Sequence, residues 1–104
     1  MTQVHWTLEA RTRLEDIEAH IAQENSTAAK EMIASILART RQLQTAPLSG
    51  RQVPDYREED LRELLERPYR IIYRLKHEVV EVLSVMHYRQ LLPRKSTHLQ
   101  QRSK

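Results

Sequence analysis

LRELLERPYRIIYRLKHEVVEVLSVMHYRQLL, residues 61–92, sets arginines among alternating apolar side chains and ends by bringing His87, Tyr88 and Arg89 together. Successive side chains of an extended chain point to opposite faces. Tyr69, Ile71, Tyr73 and Leu75 therefore share one face of a strand, while Arg70, Ile72 and Arg74 share the other. A second apolar run, Val79 to Met86, alternates less cleanly. Val80, Val82, Ser84 and Met86 stand opposite Val79, Glu81, Leu83 and Val85, the pattern of a largely buried strand. Lys76, His77 and Glu78 join the two runs as a short hairpin, with neither Gly nor Asn to fix the turn type. Leu61 to Leu65 reads as a third strand, set off by the turn signal at Arg67 and Pro68.

Upstream the period changes. Gln3 to Trp6 forms a short first strand, and Thr7 is a suitable N-cap for a helix beginning at Leu8. Leu14, Ile17 and Ile21 recur at helical spacing, and this helix ends near Gln23 to Asn25. Ala29, Met32, Ile33, Ile36, Leu37, Thr40 and Leu43 make a second stripe at steps of three and four, capped by Asn25, Ser26 or Thr27. This stripe is core material. Pro47, Ser49, Gly50 and Pro54 break the pattern, and the stretch to Asp60 reads as a surface loop. Gly50, the single glycine of the chain, is expected to supply a positive φ in a turn, and with no further glycine there is no phosphate-cradling loop. A helical hairpin with one apolar stripe must bury it, and the downstream hairpin offers the sheet face, so the class is α+β.

With 104 residues, 39% apolar and 30% charged, the chain fits a single small folded domain rather than a disordered one. No apolar run is long enough to span a bilayer, and the N-terminus lacks the apolar core of a signal peptide, so the expected location is cytoplasmic. The absence of cysteine removes disulfides, a thiolate nucleophile and cysteine-ligated metal. His5, His20, His77 and His98 are spread without ligand spacing, and no metal or cofactor is expected. Residues 1–50 carry five Lys or Arg against six Asp or Glu, and residues 51–104 twelve against eight. The excess of positive charge lies in the second half and favours an acidic partner. Residues 93–104 form a basic polar tail, expected to be frayed or ordered only against a partner.

The pieces VHWTLEARTRLEDIEAHI, APLSGRQVP, LREL, PYRIIYRL and VLSVMHYRQLL, in this order over roughly residues 3–92, resemble the toxins of the RelE/ParE superfamily of bacterial type II toxin-antitoxin modules, with residues 1–92 as the single toxin domain. The resemblance implies two N-terminal helices on a curved antiparallel sheet of three to four strands. It also implies a cognate antitoxin as partner. ParE-like members are known as inhibitors of DNA gyrase that act by protein binding, as in plasmid stabilisation. RelE-like members cut messenger RNA on the ribosome.

Cleavage of RNA needs a base for the 2′-hydroxyl, cations for the phosphorane and an acid for the leaving oxygen. If the chain is a nuclease, His87, Tyr88 and Arg70 are the catalytic candidates, similar to the His-Tyr pair of the YoeB branch. The departures are a missing second cation, since Leu64 follows Arg62 on the same strand face, an unplaced acidic residue, and a chain that runs on past Tyr88. Adjacent His87 and Tyr88 would diverge unless the strand has already ended. As a gyrase inhibitor the chain needs only a basic and apolar surface, for which Arg51, Arg57, Arg62, Arg74 and Arg89 are the candidates for target or nucleic-acid contact. Gyrase inhibition is the favoured expectation. A ribosome-dependent endoribonuclease is the alternative, and a degenerate toxin that only binds antitoxin is a third. All three place the guanidinium-bearing face of the sheet open to a target.

Overall fold

The computed structural model describes residues 1–99. The element order is β1 (Gln3–Trp6), α1 (Leu8–Ala22), α2 (Ser26–Arg41), β2 (Arg51–Gln52), β3 (Leu61–Glu66), β4 (Tyr69–Lys76) and β5 (Val79–His87), with 3-10 turns at Gln42–Gln44 and Ser96–His98. Both helices start where their caps dictate. Thr7 Oγ1 accepts from the Ala10 N–H at 3.1 Å, and Asn25 Oδ1 accepts from the Ala28 N–H at 2.9 Å, which satisfies donors that have no partner within the first turn.

The strands form a five-stranded sheet in the order β1-β5-β4-β3-β2. The α+β architecture is the one expected: β2, β3, β4 and β5 make four antiparallel strands, and the short N-terminal strand β1 extends the sheet. β1 joins β5 in parallel, and β2, within the stretch read as loop, pairs antiparallel with β3 through Arg51 and Gln52. β3, β4 and β5 make the antiparallel centre.

Each face of the sheet has its own core. Ile17, Ile36 and Leu43 pack on Leu64, Ile71, Tyr73, Val80, Val82 and Val85 on the helix side. On the other side Leu61, Ile72, Leu83 and Met86 are covered by Val53, Tyr56 and Leu99. Full burial of an aliphatic side chain stabilises by about 1.5–3 kcal/mol, so a polar segment needs few anchors to be held. The segment 93–99 has such an anchor in Leu99 and is ordered on the domain itself, contrary to the frayed tail expected. Tyr56 Oη donates to the Pro93 carbonyl at 2.6 Å and ties this segment to the 53–60 loop. Residues 100–104 of the expected tail lie outside the described residues.

Gly50 also departs from expectation, since its φ is not positive. A Cβ there would stand 2.6 Å from the Glu63 carbonyl oxygen and 2.6 Å from the Tyr73 hydroxyl. Glycine is required by close approach, not by backbone hand. Its N–H donates to Tyr73 Oη at 3.0 Å, Tyr73 Oη donates to the Pro47 carbonyl at 2.9 Å, and Arg62 Nη1 donates to the Gly50 carbonyl at 2.8 Å. The β4–β5 turn carries a positive φ of 59° at His77, the hand a two-residue hairpin asks of its first central residue in a II′ turn.

The uneven alternation in Val79–Met86 has a structural cause. Ile72 pairs with Ser84 but Tyr73 pairs with Val82, so Leu83 is an extra residue, a β-bulge. Val80 and Val82 face the helices before it, and Val85 and His87 face them after it.

Candidate functional site

At the end of the sheet where β3 turns into β4, the Arg67–Pro68 turn contains a cis peptide bond. A cleft of about 570 Å³ opens there on the helix-free side, lined by Arg51, Pro54, Asp55, Leu65, Arg67, Pro68, Tyr69, Arg70 and Tyr88. Its volume is within the range of ligand-binding clefts, about 300–1,000 Å³. A second, smaller cleft of about 410 Å³ on the helix side is lined by residues that include Arg13, Asp16, His20, Tyr69 and His87.

β5 ends at His87, so the backbone is free to turn and His87 and Tyr88 converge. Their rings stack at 5.0 Å between centroids with 20° between planes, and the His87 ring meets Tyr69 edge-on at 5.8 Å. His87 Nδ1 accepts from the Arg89 N–H at 3.1 Å, and the His87 N–H donates to Gln90 Oε1 at 2.8 Å. One ring nitrogen is thereby used as an acceptor for the chain's own backbone. Arg89 lies 5.7 Å from the Tyr88 ring centre and donates from Nε to the Tyr88 hydroxyl at 3.3 Å.

Arg70 stands apart from this pair. It pairs with Met86 across the sheet and faces away from the helices, whereas His87 pairs with Tyr69 and faces them. Glu63, fully buried on β3, receives Arg70 Nε at 2.6 Å on one oxygen and Arg51 Nε at 2.6 Å on the other. Arg70 Nη2 donates to Asp55 Oδ1 at 2.9 Å. Burial disfavours the charged guanidinium, but the hydrogen bonds it donates to Glu63 and Asp55 and their charges outweigh it, and the pKa of Arg70 moves up. Arg70 is a cation neutralised twice.

Arg74 is engaged in the same way. Its Nη2 donates to Glu58 Oε1 at 2.8 Å, and its Nε lies 2.9 Å from Asp60 Oδ2 without hydrogen-bond alignment. The acidic 55–60 loop thus lies over the arginines. Over Arg70 and Arg74 the guanidinium-bearing face is not open, contrary to the expectation from sequence, because the chain's own carboxylates close it. Arg62 points to the helix side and holds the Gly50 carbonyl. Arg57 is exposed. The structure therefore brings Tyr88, Arg70 and Arg51 to one cleft and His87 to the other.

Glu63 is not among the sequence candidates, although a carboxylate between Leu61 and Leu65 on one strand face is the available signal. Arg67, which in the sequence marks only a turn, lines the cleft. Burial is the main reason the hydroxyls of Tyr56, Tyr69 and Tyr73 titrate above the ordinary tyrosine value. Among the described residues no group of three His, Asp or Glu could hold a metal ion, and no helix is long and apolar enough to cross a membrane.

Residues 4–92 match the family described as the ParE toxin of the type II toxin-antitoxin system, parDE. A Sinorhizobium fredii protein named as a candidate toxin, Y4kP, is 37% identical over 93 residues, which is 88% of this chain and 93% of that protein. The fold is similar to a chain of the chromosomal ParDE TA system from P. aeruginosa, with a TM-score of 0.70 at 24% identity over 84% of this chain and 96% of that one. It is also similar to a chain of the RelBE2 toxin-antitoxin complex from Mycobacterium tuberculosis, with a TM-score of 0.60 at 24% identity over 83% and 96%. By the family match across nearly the whole domain and the identity to Y4kP, this chain belongs to the ParE toxin family of type II toxin-antitoxin systems.

Proposed function

We propose that this toxin acts by binding a protein target, DNA gyrase, in the cytoplasm, and that a cognate antitoxin binds and neutralises it. The carrying observation is the separation of the nuclease candidates. His87 faces the helices, while Arg70 lies on the opposite face with its charge answered by Glu63 and Asp55. In-line attack on a phosphate needs a base and a free cation around one atom, and this arrangement supports binding over cleavage. The toxin-antitoxin complexes among the similar folds support the antitoxin partner.

The test is a plasmid supercoiling assay with purified toxin, run beside a translation reaction in which messenger integrity is followed. Gyrase inhibition that survives His87→Ala, with messenger intact, is the expected result. Messenger cut on the ribosome, and spared by His87→Ala, would establish the endoribonuclease instead. Normal growth on expression of the toxin alone would point to a chain that only binds antitoxin.

A further inference from the structure

We infer that the cleft beside the Arg67–Pro68 turn is the surface with which this toxin grips its protein target, and that it receives an extended acidic segment carrying an apolar side chain. The inference rests on the protein-binding reading above and names where and by what chemistry it happens.

The helix-free face of β3 reads Leu61, Glu63, Leu65. The first two are 0% and 1% exposed and Leu65 is 36% exposed. The difference lies in the cover. Val53, Tyr56 and Leu99 close over Leu61, Ile72 and Met86, and both covering segments stop before Leu65. A leucine on a sheet face is left as the apolar floor of a cleft lined also by Pro54, Pro68 and Tyr88. Tyr88 is itself 51% exposed. Rigid rings beside an uncovered aliphatic side chain are the makings of a protein contact, since such groups lose little conformational freedom when covered.

Charge selects the occupant. Three arginines line the cleft against one carboxylate, Asp55. Arg70 is already committed to Asp55 and Glu63. Arg67 makes no ion pair among the described residues, and the Arg51 side chain is 60% exposed outside its contact with Glu63. An incoming carboxylate therefore meets two accessible guanidinium groups, whereas an incoming cation meets three arginines against one carboxylate already paired with Arg70. The volume admits a few side chains, which fits a peptide segment.

The experiment titrates wild-type toxin, Arg67→Glu, Leu65→Asp and Lys30→Glu in the gyrase supercoiling assay, with a thermal melt of each. Lys30 is exposed on α2, far from the cleft in the fold, and serves as the control. Arg67→Glu and Leu65→Asp are expected to raise the half-inhibitory concentration by about tenfold or more, with Lys30→Glu unchanged. If Leu65→Asp lowers the melting temperature, the exposed Arg67→Glu decides alone. Undiminished inhibition by a folded Arg67→Glu overturns the cleft assignment and leaves gyrase inhibition standing. Loss of antitoxin affinity in these variants with inhibition intact also overturns it, by making the antitoxin the occupant. If wild-type toxin fails to inhibit gyrase at all, the gyrase reading falls and the inference with it.

Discussion

Replacing Arg70 with methionine isolates the ion cluster that closes the helix-free face. The Glu63 carboxylate has no exposed surface, the Arg70 side chain is 9% exposed, and the two are joined at 2.6 Å. Arg51 approaches the other Glu63 oxygen but is largely in solvent. Arg70→Met leaves a buried carboxylate with only this outer partner. Removing one member of a buried pair costs about 3–5 kcal/mol, and the remaining Arg51 contact places the expected loss near the lower end, about 3 kcal/mol. For a domain whose net stability is of the order of 5–15 kcal/mol this is a large share.

The double variant Glu63→Met/Arg70→Met should recover most of that loss, because the neighbouring side chains on this face include Leu61, Ile72 and Met86, and apolar replacement of a buried pair is often close to neutral. Arg70→Lys keeps the charge but loses the fork that reaches Glu63 and Asp55 at once, and should fall between wild type and Arg70→Met. Urea unfolding followed by circular dichroism, with Glu63→Met added as the second single variant, gives the four corners of the cycle and hence the coupling, expected at about 2 kcal/mol or more. A loss under about 1 kcal/mol for Arg70→Met, with additive single and double variants, would refute the reasoning. Arg70 would then be a solvated cation free for a target.

Four further outcomes follow from the same packing. Gly50→Ala should destabilise by about 1–3 kcal/mol in chemical unfolding, because the methyl group must displace the Glu63 carbonyl or the Tyr73 hydroxyl. His77→Gly should raise stability by roughly 0.5–1 kcal/mol in the same assay, relieving a left-handed residue at an exposed turn. Burial holds the protons of Tyr56, Tyr69 and Tyr73 more tightly in the folded chain. The associated stability is fully present below about pH 10 and is lost as pH rises through the folded-state values, so melting temperature should drop above pH 10. Deleting Leu83 should leave a folded domain weakened by roughly 2–3 kcal/mol for the lost side chain, whereas deleting Val85 should abolish the cooperative melt by turning the end of β5 over.

The elements were legible because short-range physics decides them. Thr7 and Asn25 cap their helices as the sequence indicates, and the two periods divide helix from strand in the right places. What escaped was whatever depends on partners distant in sequence. β2 is two residues long and has no pattern of its own; pairing with β3 makes it a strand. Leu99 sits in a polar tail that gives no local sign of burial, and it is buried because the helix-free face of the sheet offers Leu61, Ile72, Leu83 and Met86. Gly50 reads in the sequence as a positive-φ turn residue, whereas glycine is needed there because Tyr73, 23 residues away, and the Glu63 carbonyl come close.

The candidate site turned on one residue of register. Strict alternation through Val79–Met86 keeps Val82 and Ser84 on one face, yet Val82 faces the helices and Ser84 faces away, because Leu83 bulges between them. The bulge is tied to the start of α1. Thr7 Oγ1 accepts the Ala10 N–H and donates to the Leu83 carbonyl at 3.3 Å, while the Thr7 N–H donates to the Val82 carbonyl at 3.1 Å. A helix cap therefore answers the backbone that the bulge withdraws from the ladder. Beyond it every side chain of β5 is set by the new parity, so His87 joins Tyr69 on the helix side and parts from Arg70. Sequence places His87 and Arg70 in neighbouring strands, and the extra residue decides that they face opposite sides of the sheet. Arg51, Leu65 and Arg67, placed by β2, β3 and the turn after it, meet Tyr88 at the cleft on the other side.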